Sequence, residues 1–461
     1  MSDLTFAPAA PDLDVLAASP GPLRHPARAA DARERWTPLT RVGFRLFALY
    51  FTLYIFCTQM FSALFGPILR LVASVLPITP PMMTAPVQKI GSHIAINWWQ
   101  FPEPLSANRG AGDKPIDYGL AFGLLLIAAV VTAIWSAVDW KRVSYPRLHA
   151  WFRVFLRFGL GASLASYGWV KAFPLQMSYP SLTRLLEPYG DFSLMGVLWA
   201  KIGASPAYEM FTGCAELLAA VLLFIPGLTT VGALLALAVT SQVFVLNMTY
   251  DVPVKLFSLH LLVMSLVLLA PDARRLVDFL VCKRPTDPPR DGRLFRRTAL
   301  HRIALVLQVL FAVWILWGGY QGASASYARS AANAPRPPMY GIWDIDRMMI
   351  RGVERAPLVT DYDRWRRVVV QFPNAITFQR MDNTTLSYQA KVDEVAGTIV
   401  LSAQGTEIGR FTIAKPAEGR LVLDGSLSGK PMRMETTYVD PNDFRLVQGR
   451  FRWIQDAPFN R

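Results

Sequence analysis

Between Glu216 and Asp251 the chain carries no charged residue at all. A run of that length cannot be the core of one soluble helix. It is long enough for two passes through a hydrocarbon layer, each needing about 20 apolar residues. "PGLTT" at 226–230 divides it, because Pro and Gly in succession end a helix, so the run reads as a tight helical hairpin. "YGLAFGLLLIAAVVTAIWSAV" (118–138) is a further uncharged stretch of spanning length. About seven apolar segments emerge along the chain: 42–64, 118–138, 152–171, 208–226, 228–248, 253–271 and 300–319. The sixth is the least regular, with Lys255 and His260 near its start.

Composition agrees with a membrane protein: 52% of the residues are hydrophobic and only 17% charged. The net charge of +14 has its reading in the loops, since Lys and Arg collect on the cytoplasmic side. Loop 139–150 holds Lys141, Arg142 and Arg147, and loop 272–299 holds Arg274, Arg275, Lys283, Arg284, Arg290, Arg293, Arg296 and Arg297. These loops are expected inside, together with residues 1–40. That N-terminal stretch, rich in Ala, Pro, Asp and Arg, reads as a disordered tail. Loops 65–117 and 172–207 are then outside. No nucleic-acid-binding motif accompanies the positive charge, so nucleic acid is not an expected partner. Cys57, Cys214 and Cys282 are scattered, and no Cys/His/Asp/Glu group has metal-ligand spacing, so no metal is expected.

After the membrane part (41–320), small residues and Pro over 321–338 read as a linker. From residue 339 to 461 the pattern becomes short alternating runs, such as "RRVVVQF", "TLSYQAKV" and "RLVLDGSL", separated by Gly, Asn, Asp or Pro. That is a meander of about eight or nine strands. The expected fold is therefore an α-helical polytopic membrane bundle followed by an all-β, barrel-like soluble domain on the outer side. "FRLVQGRFRWI" (444–454) is read as its final strand.

Candidate functional residues are the ionisable and polar groups inside the apolar segments. Walked along their helices, Lys171, Glu209, Glu216, Asn247, Asp251, Lys255 and His260 all fall in the outer half of the membrane or at its outer rim. Glu216 lies roughly 12 Å in from its helix end at 1.5 Å per residue. A lone carboxylate at that depth must be paired, protonated or hydrated; Lys171 or Lys255 is the expected ion-pair partner. Glu209, Gly213 and Glu216 share one helical face, as do Arg157, Gly161, Gly168 and Lys171 on the preceding segment. Glycines on such a stripe let helices approach closely. The expectation is one outer-leaflet pocket in which Glu216, Lys171 and His260 converge. A structural ion pair that only orders the bundle is the plain alternative. Arg153 and Arg157 read as residues that reach the inner rim, and "GAGDKPIDYG" (110–119) as an outer turn.

The stretches "LRFGLGASLASYGWVKAF" (156–173) and "FTGCAELLAAVLLFIPGLTTVGALLALAV" (211–239), with the "YDVPVKLFSLH" rim, resemble the DoxX-like family of bacterial membrane proteins over about residues 150–280. The resemblance implies a bacterial inner-membrane protein with its C-terminal domain periplasmic and a polar core of Arg157, Lys171 and Glu216. It also implies an accessory role in redox chemistry, with a quinone as the candidate cofactor, a redox partner protein and membrane lipid as partners. The missing C-x-x-C departs from disulfide-handling relatives. A more distant likeness is to the membrane domain of vitamin K-dependent carboxylases. The alternatives are a binding or transport protein for lipid or another apolar molecule, and a structural assembly factor. In the outer domain, G-x-W at Gly341 and Trp343, with Arg452 near the end, resembles a lipocalin-type barrel, in which such a Trp packs under an Arg of the last strand.

Overall fold

The computed structural model describes residues 35–73, 81–102, 112–286, 294–330, 335–393, 395–449 and 453–456. Its helices are α1 (Pro38–Cys57), α2 (Gln59–Ala73), α3 (Pro81–His93), α4 (Pro115–Val138), α5 (Pro146–Ala172), α6 (Leu182–Leu186) and α7 (Leu194–Gly203). They continue with α8 (Pro206–Phe224), α9 (Thr229–Thr249), α10 (Lys255–Leu269), α11 (Ala273–Leu280), α12 (Thr298–Ala328) and α13 (Arg445–Gln448). Among the described residues, six helical stretches are long and apolar enough to cross a membrane: α1, α4, α8, α9, α12, and α10 with its continuation through α11.

The third expected span, α5, is not among those six. It carries Arg147, Arg153, Arg157 and Lys171, and it escapes lipid by position: it packs against α1, α2, α8, α10 and α12. Its residues from Leu156 to Ala165 are all buried. A polar helix is tolerated there because protein, not lipid, surrounds it. The first expected span breaks at Thr58, whose extended backbone separates α1 from α2 while its hydroxyl donates to the Tyr54 carbonyl at 2.7 Å. The α8–α9 hairpin forms at the expected place, with Gly227 at φ +88° supplying a left-handed turn that L-residues rarely adopt. The linker expected from 321 is in its first part helix: α12 continues to Ala328, about 46 Å in all at 1.5 Å per residue. Ala is the best helix former and no proline intervenes before Pro335.

The glycine stripes meet as their spacing predicts. A Cβ on Gly213 of α8 would lie 2.5 Å from the Ala172 nitrogen and 2.7 Å from the Gly168 carbonyl oxygen of α5. Backbone touches backbone there, so Gly213→Ala forces the helices apart. The expected loss is about 1–3 kcal/mol, read as a lower melting midpoint of the detergent-purified protein; an unchanged midpoint would contradict the contact.

Two ends of the bundle can be traced from contacts. At one, the Trp36 amide donates to Val143 O (3.1 Å), Arg41 donates to Arg142 O (2.8 Å), and Trp151 packs on Phe295. At the other, Gly112 N donates to Pro253 O (2.7 Å) and Phe173 packs on Tyr327. The helix ends alternate along the chain, and the described parts of the basic 139–147 and 274–297 segments share the first end.

The C-terminal domain is a closed antiparallel barrel. Its strands are β1 (Gly341–Ile350), β2 (Val353–Glu354), β3 (Trp365–Phe372), β4 (Ala375–Arg380), β5 (Thr385–Asp393), β6 (Thr398–Ala403), β7 (Thr406–Ala414), β8 (Arg420–Leu427) and β9 (Lys430–Val439). Eight of them run β1-β3-β4-β5-β6-β7-β8-β9, and β9 returns to β1 from Ile342↔Val439 to Ile350↔Met432; β2 only extends the far end of β1. Eight strands leave an interior that side chains can fill, here Met348, Trp365, Phe378, Leu401, Phe411 and Met434. Arg364, 2% exposed, plugs one end by donating to the carbonyls of Ile345 (2.9 Å), Arg355 (3.2 Å) and Trp365.

One expectation for this domain changes, and a second falls on residues outside the described ones. The stretch read as a final strand instead contains the helical turn α13, and β9, ending at Val439, closes the barrel. The described contacts of Trp343 are its indole N–H donating to Met339 O at 2.9 Å and its ring meeting Tyr438 of β9 edge-on at 5.1 Å. Arg452 lies outside the described residues. The barrel rests on α6, where Leu182 packs against Ile342 and Val369, and the Leu182 amide donates to Gln371 Oε1 at 2.9 Å.

Candidate functional site

Lys171, in the last turn of α5, and Glu216, in the middle of α8, form a buried ion pair, 7% and 3% exposed. The Gly168–Gly213 crossing one turn away brings them together. Only Glu216 Oε1 is engaged; Oε2 is buried with no hydrogen-bond partner among the described residues. Lys171 also lies 5.9 Å from the Tyr167 ring centroid. Glu209, fully buried, accepts from the amides of Gln176 (3.0 Å) and Met177 (2.9 Å), and so ties the chain leaving α5 to the start of α8. These contacts hold two helices and a loop in register.

The other expected members lie elsewhere. Lys255 pairs with Asp251 at 2.8 Å and with Asp113 at 3.9 Å. Asp113 also accepts from the Lys255 and Leu256 amides at 2.8 and 2.9 Å, capping α10. A carboxylate is well placed at a helix N-terminus, where the first amides lack intrahelical acceptors. "GAGDKPIDYG" is therefore more than a turn: its Asp fastens α10. Asn247 donates to Ser258 Oγ at 3.1 Å across the α9–α10 junction. Arg157 is remote from the outer set: it donates to Thr229 Oγ1 at 3.0 Å and to Gln308, beside the α8–α9 hairpin. Arg153 does not simply reach toward the membrane surface. It pairs at 3.2 Å with buried Asp272, which also receives Thr230 (2.9 Å) and Arg275 (2.8 Å).

His260 belongs to a constellation that reading the sequence did not reveal. Its Nε2 is 2.7 Å from the Tyr50 hydroxyl, its Nδ1 is 2.7 Å from the Leu256 carbonyl, and its ring stacks on Tyr54 at 3.9 Å with 2° between planes. Tyr50 and Tyr54 are one turn apart on α1. Their i, i+4 spacing was visible, but in an apolar helix that spacing reads as ordinary core. Tyr50 and His260 line a cleft of about 160 Å³ with Phe47, Phe51, Leu125 and Leu259. Phe47, Leu125 and Leu259 are all more than a third exposed on the outer surface of the bundle, so the cleft opens sideways. Glu216–Lys171 and Tyr50–His260 are thus two distinct bonded groups. Among the described residues no hydrogen bond or ion pair joins Glu216 to His260 or Lys255.

A second hollow, about 650 Å³, lies between α2, α5 and α12. Small residues line much of it, including Gly66, Ala162, Ala165, Gly318 and Ala323, with the Trp169 side chain on one wall.

No protein-family model matches the chain, and no solved structure matches it. Over 79 residues, 17% of the chain, it is 38% identical to a Bacillus subtilis (strain 168) protein described as uncharacterized protein YwoB. The aligned part is 51% of that protein, so the chain spans about half the length of the curated relative it matches.

Proposed function

We propose that this protein binds a quinone or a similar lipid-soluble ring molecule within the membrane, as an accessory to a redox system, in keeping with the DoxX-like resemblance. The observation that carries the reading is the Tyr50–His260 hydrogen bond set in the wall of a side-opening apolar cleft. A polar pair at such a place meets a ligand arriving from the bilayer, and intramembrane ionisable groups commonly mark functional sites. An apolar cavity of about 150 Å³ holds a benzene ring, so this cleft has room for one six-membered ring while a tail stays in lipid. Glu216 and Lys171 serve here as the fastening between α5 and α8. The basic end of the bundle is cytoplasmic by its excess of Lys and Arg, which makes the barrel periplasmic.

The hollow between α2, α5 and α12 favours a second reading, in which the protein holds a lipid chain there. The two readings separate by variant. Tyr50→Phe combined with His260→Leu is expected to lower the total of quinone and quinol recovered from protein purified in mild detergent at least fivefold, with the lipid content unchanged. A total of quinone and quinol retained at the parent level, or neither form present in the parent, refutes the ring-binding reading.

A further inference from the structure

We infer that the Tyr50–His260 site is an acceptor for a hydroxyl group, so that it selects the reduced, phenol-like form of a ring ligand over the oxidised carbonyl form. The inference rests on the ring-binding reading above and adds the polarity of the site.

The Leu256 carbonyl decides it. That oxygen can only accept a hydrogen bond, and it lies 2.7 Å from His260 Nδ1. If Nδ1 carried a lone pair, two acceptors would face each other at hydrogen-bonding distance, so Nδ1 carries the proton. Histidine is mostly neutral at pH 7, and no carboxylate touches this ring among the described residues. A neutral imidazole holds one N–H, hence Nε2 is an acceptor. The Tyr50 hydroxyl, 2.7 Å from Nε2, must then be the donor. Stacking on Tyr54 fixes the ring plane, which keeps both partners in place.

Tyr50 has thus spent its only proton on His260. What remains on the phenol oxygen, at the wall of the cleft, is lone-pair density. A ligand bearing O–H can donate to it. A ligand bearing only C=O cannot, and its carbonyl would be desolvated without a partner. The other lining residues, Leu46, Phe47, Phe51, Leu125, Leu259 and Val263, have no side-chain hydrogen-bond donor to offer it.

The test uses the full chain in phospholipid nanodiscs and three probes of one shape: para-octylphenol, its methyl ether para-octylanisole, and para-octylacetophenone. Empty nanodiscs measure plain partition. The parent protein is expected to bind the phenol at least about fivefold more tightly than the ether or the ketone, in line with one hydrogen bond. Tyr50→Phe removes that preference. His260→Leu frees the Tyr50 proton, so the ketone binds more tightly than it does to the parent; a gain of binding cannot come from misfolding. Equal affinity for all three probes, dependent on Tyr50, overturns the acceptor assignment and leaves ring binding standing. No binding beyond empty nanodiscs overturns both.

Discussion

Lys171→Met is expected to destabilise the membrane part by about 3–5 kcal/mol, because it leaves Glu216 buried and unpaired in the middle of α8. The sign reverses when both charges go. Lys171→Met with Glu216→Leu replaces the ion pair by apolar groups of similar volume, a change that is often neutral or stabilising. The double variant should melt near the parent or above it, while Glu216→Leu alone leaves Lys171 unpaired and melts early. The four proteins form a cycle whose coupling energy is large only if the two side chains act as one unit. Thermal unfolding in detergent, followed by far-UV circular dichroism, gives the midpoints. If Lys171→Met were as stable as the parent, the pair would not be the fastening described here. The Tyr50–His260 cleft, which lies between α1, α4 and α10, should be unaffected in the double variant.

Trp365→Ala in β3 is the second large effect. The Trp365 side chain is 3% exposed and packs on Phe378 with ring centroids 4.3 Å apart. Truncating a buried Trp costs about 3–5 kcal/mol, a large part of what a single domain has. Among the described residues, the barrel touches the bundle chiefly through the α6 pad of Leu182, Leu185 and Leu186. Its loss should therefore open residues 341–439 to protease while the helical signal of the bundle persists. Simultaneous melting of bundle and barrel would show that the pad couples them more strongly than its few side chains imply.

Much of the bundle was legible because lipid imposes a simple rule. Every spanning segment must be apolar where it meets hydrocarbon, and hairpins must break at residues such as Pro226 and Gly227. The rule fails at α5, which is polar and central, since burial in protein lifts the requirement. It also fails at the end of α12, where Ala- and Ser-rich sequence reads equally as spacer or helix. In the barrel, period-two alternation and turn residues gave the strand count. The segment after β9 was read as strand because "FRLVQGRF" alternates over a few residues, while the meander had already closed on β1.

The site was legible in parts. The Glu216–Lys171 pair could be anticipated, since a carboxylate that deep needs a cation and the glycine stripes point the two helices at each other. The company of His260 could not, because Tyr50 lies 210 positions away on another helix.

The order of residues alone determined that this chain is a set of membrane helices followed by a meander of strands, because hydrophobic length and period are local properties that solvent reads directly. Only the tertiary structure decided which polar groups meet. Helix rotation and crossing depend on side chains far apart in the chain, and hydrogen bonds form over about 3 Å. That geometry put Lys171 beside Glu216 and gave His260 to Tyr50 and Tyr54.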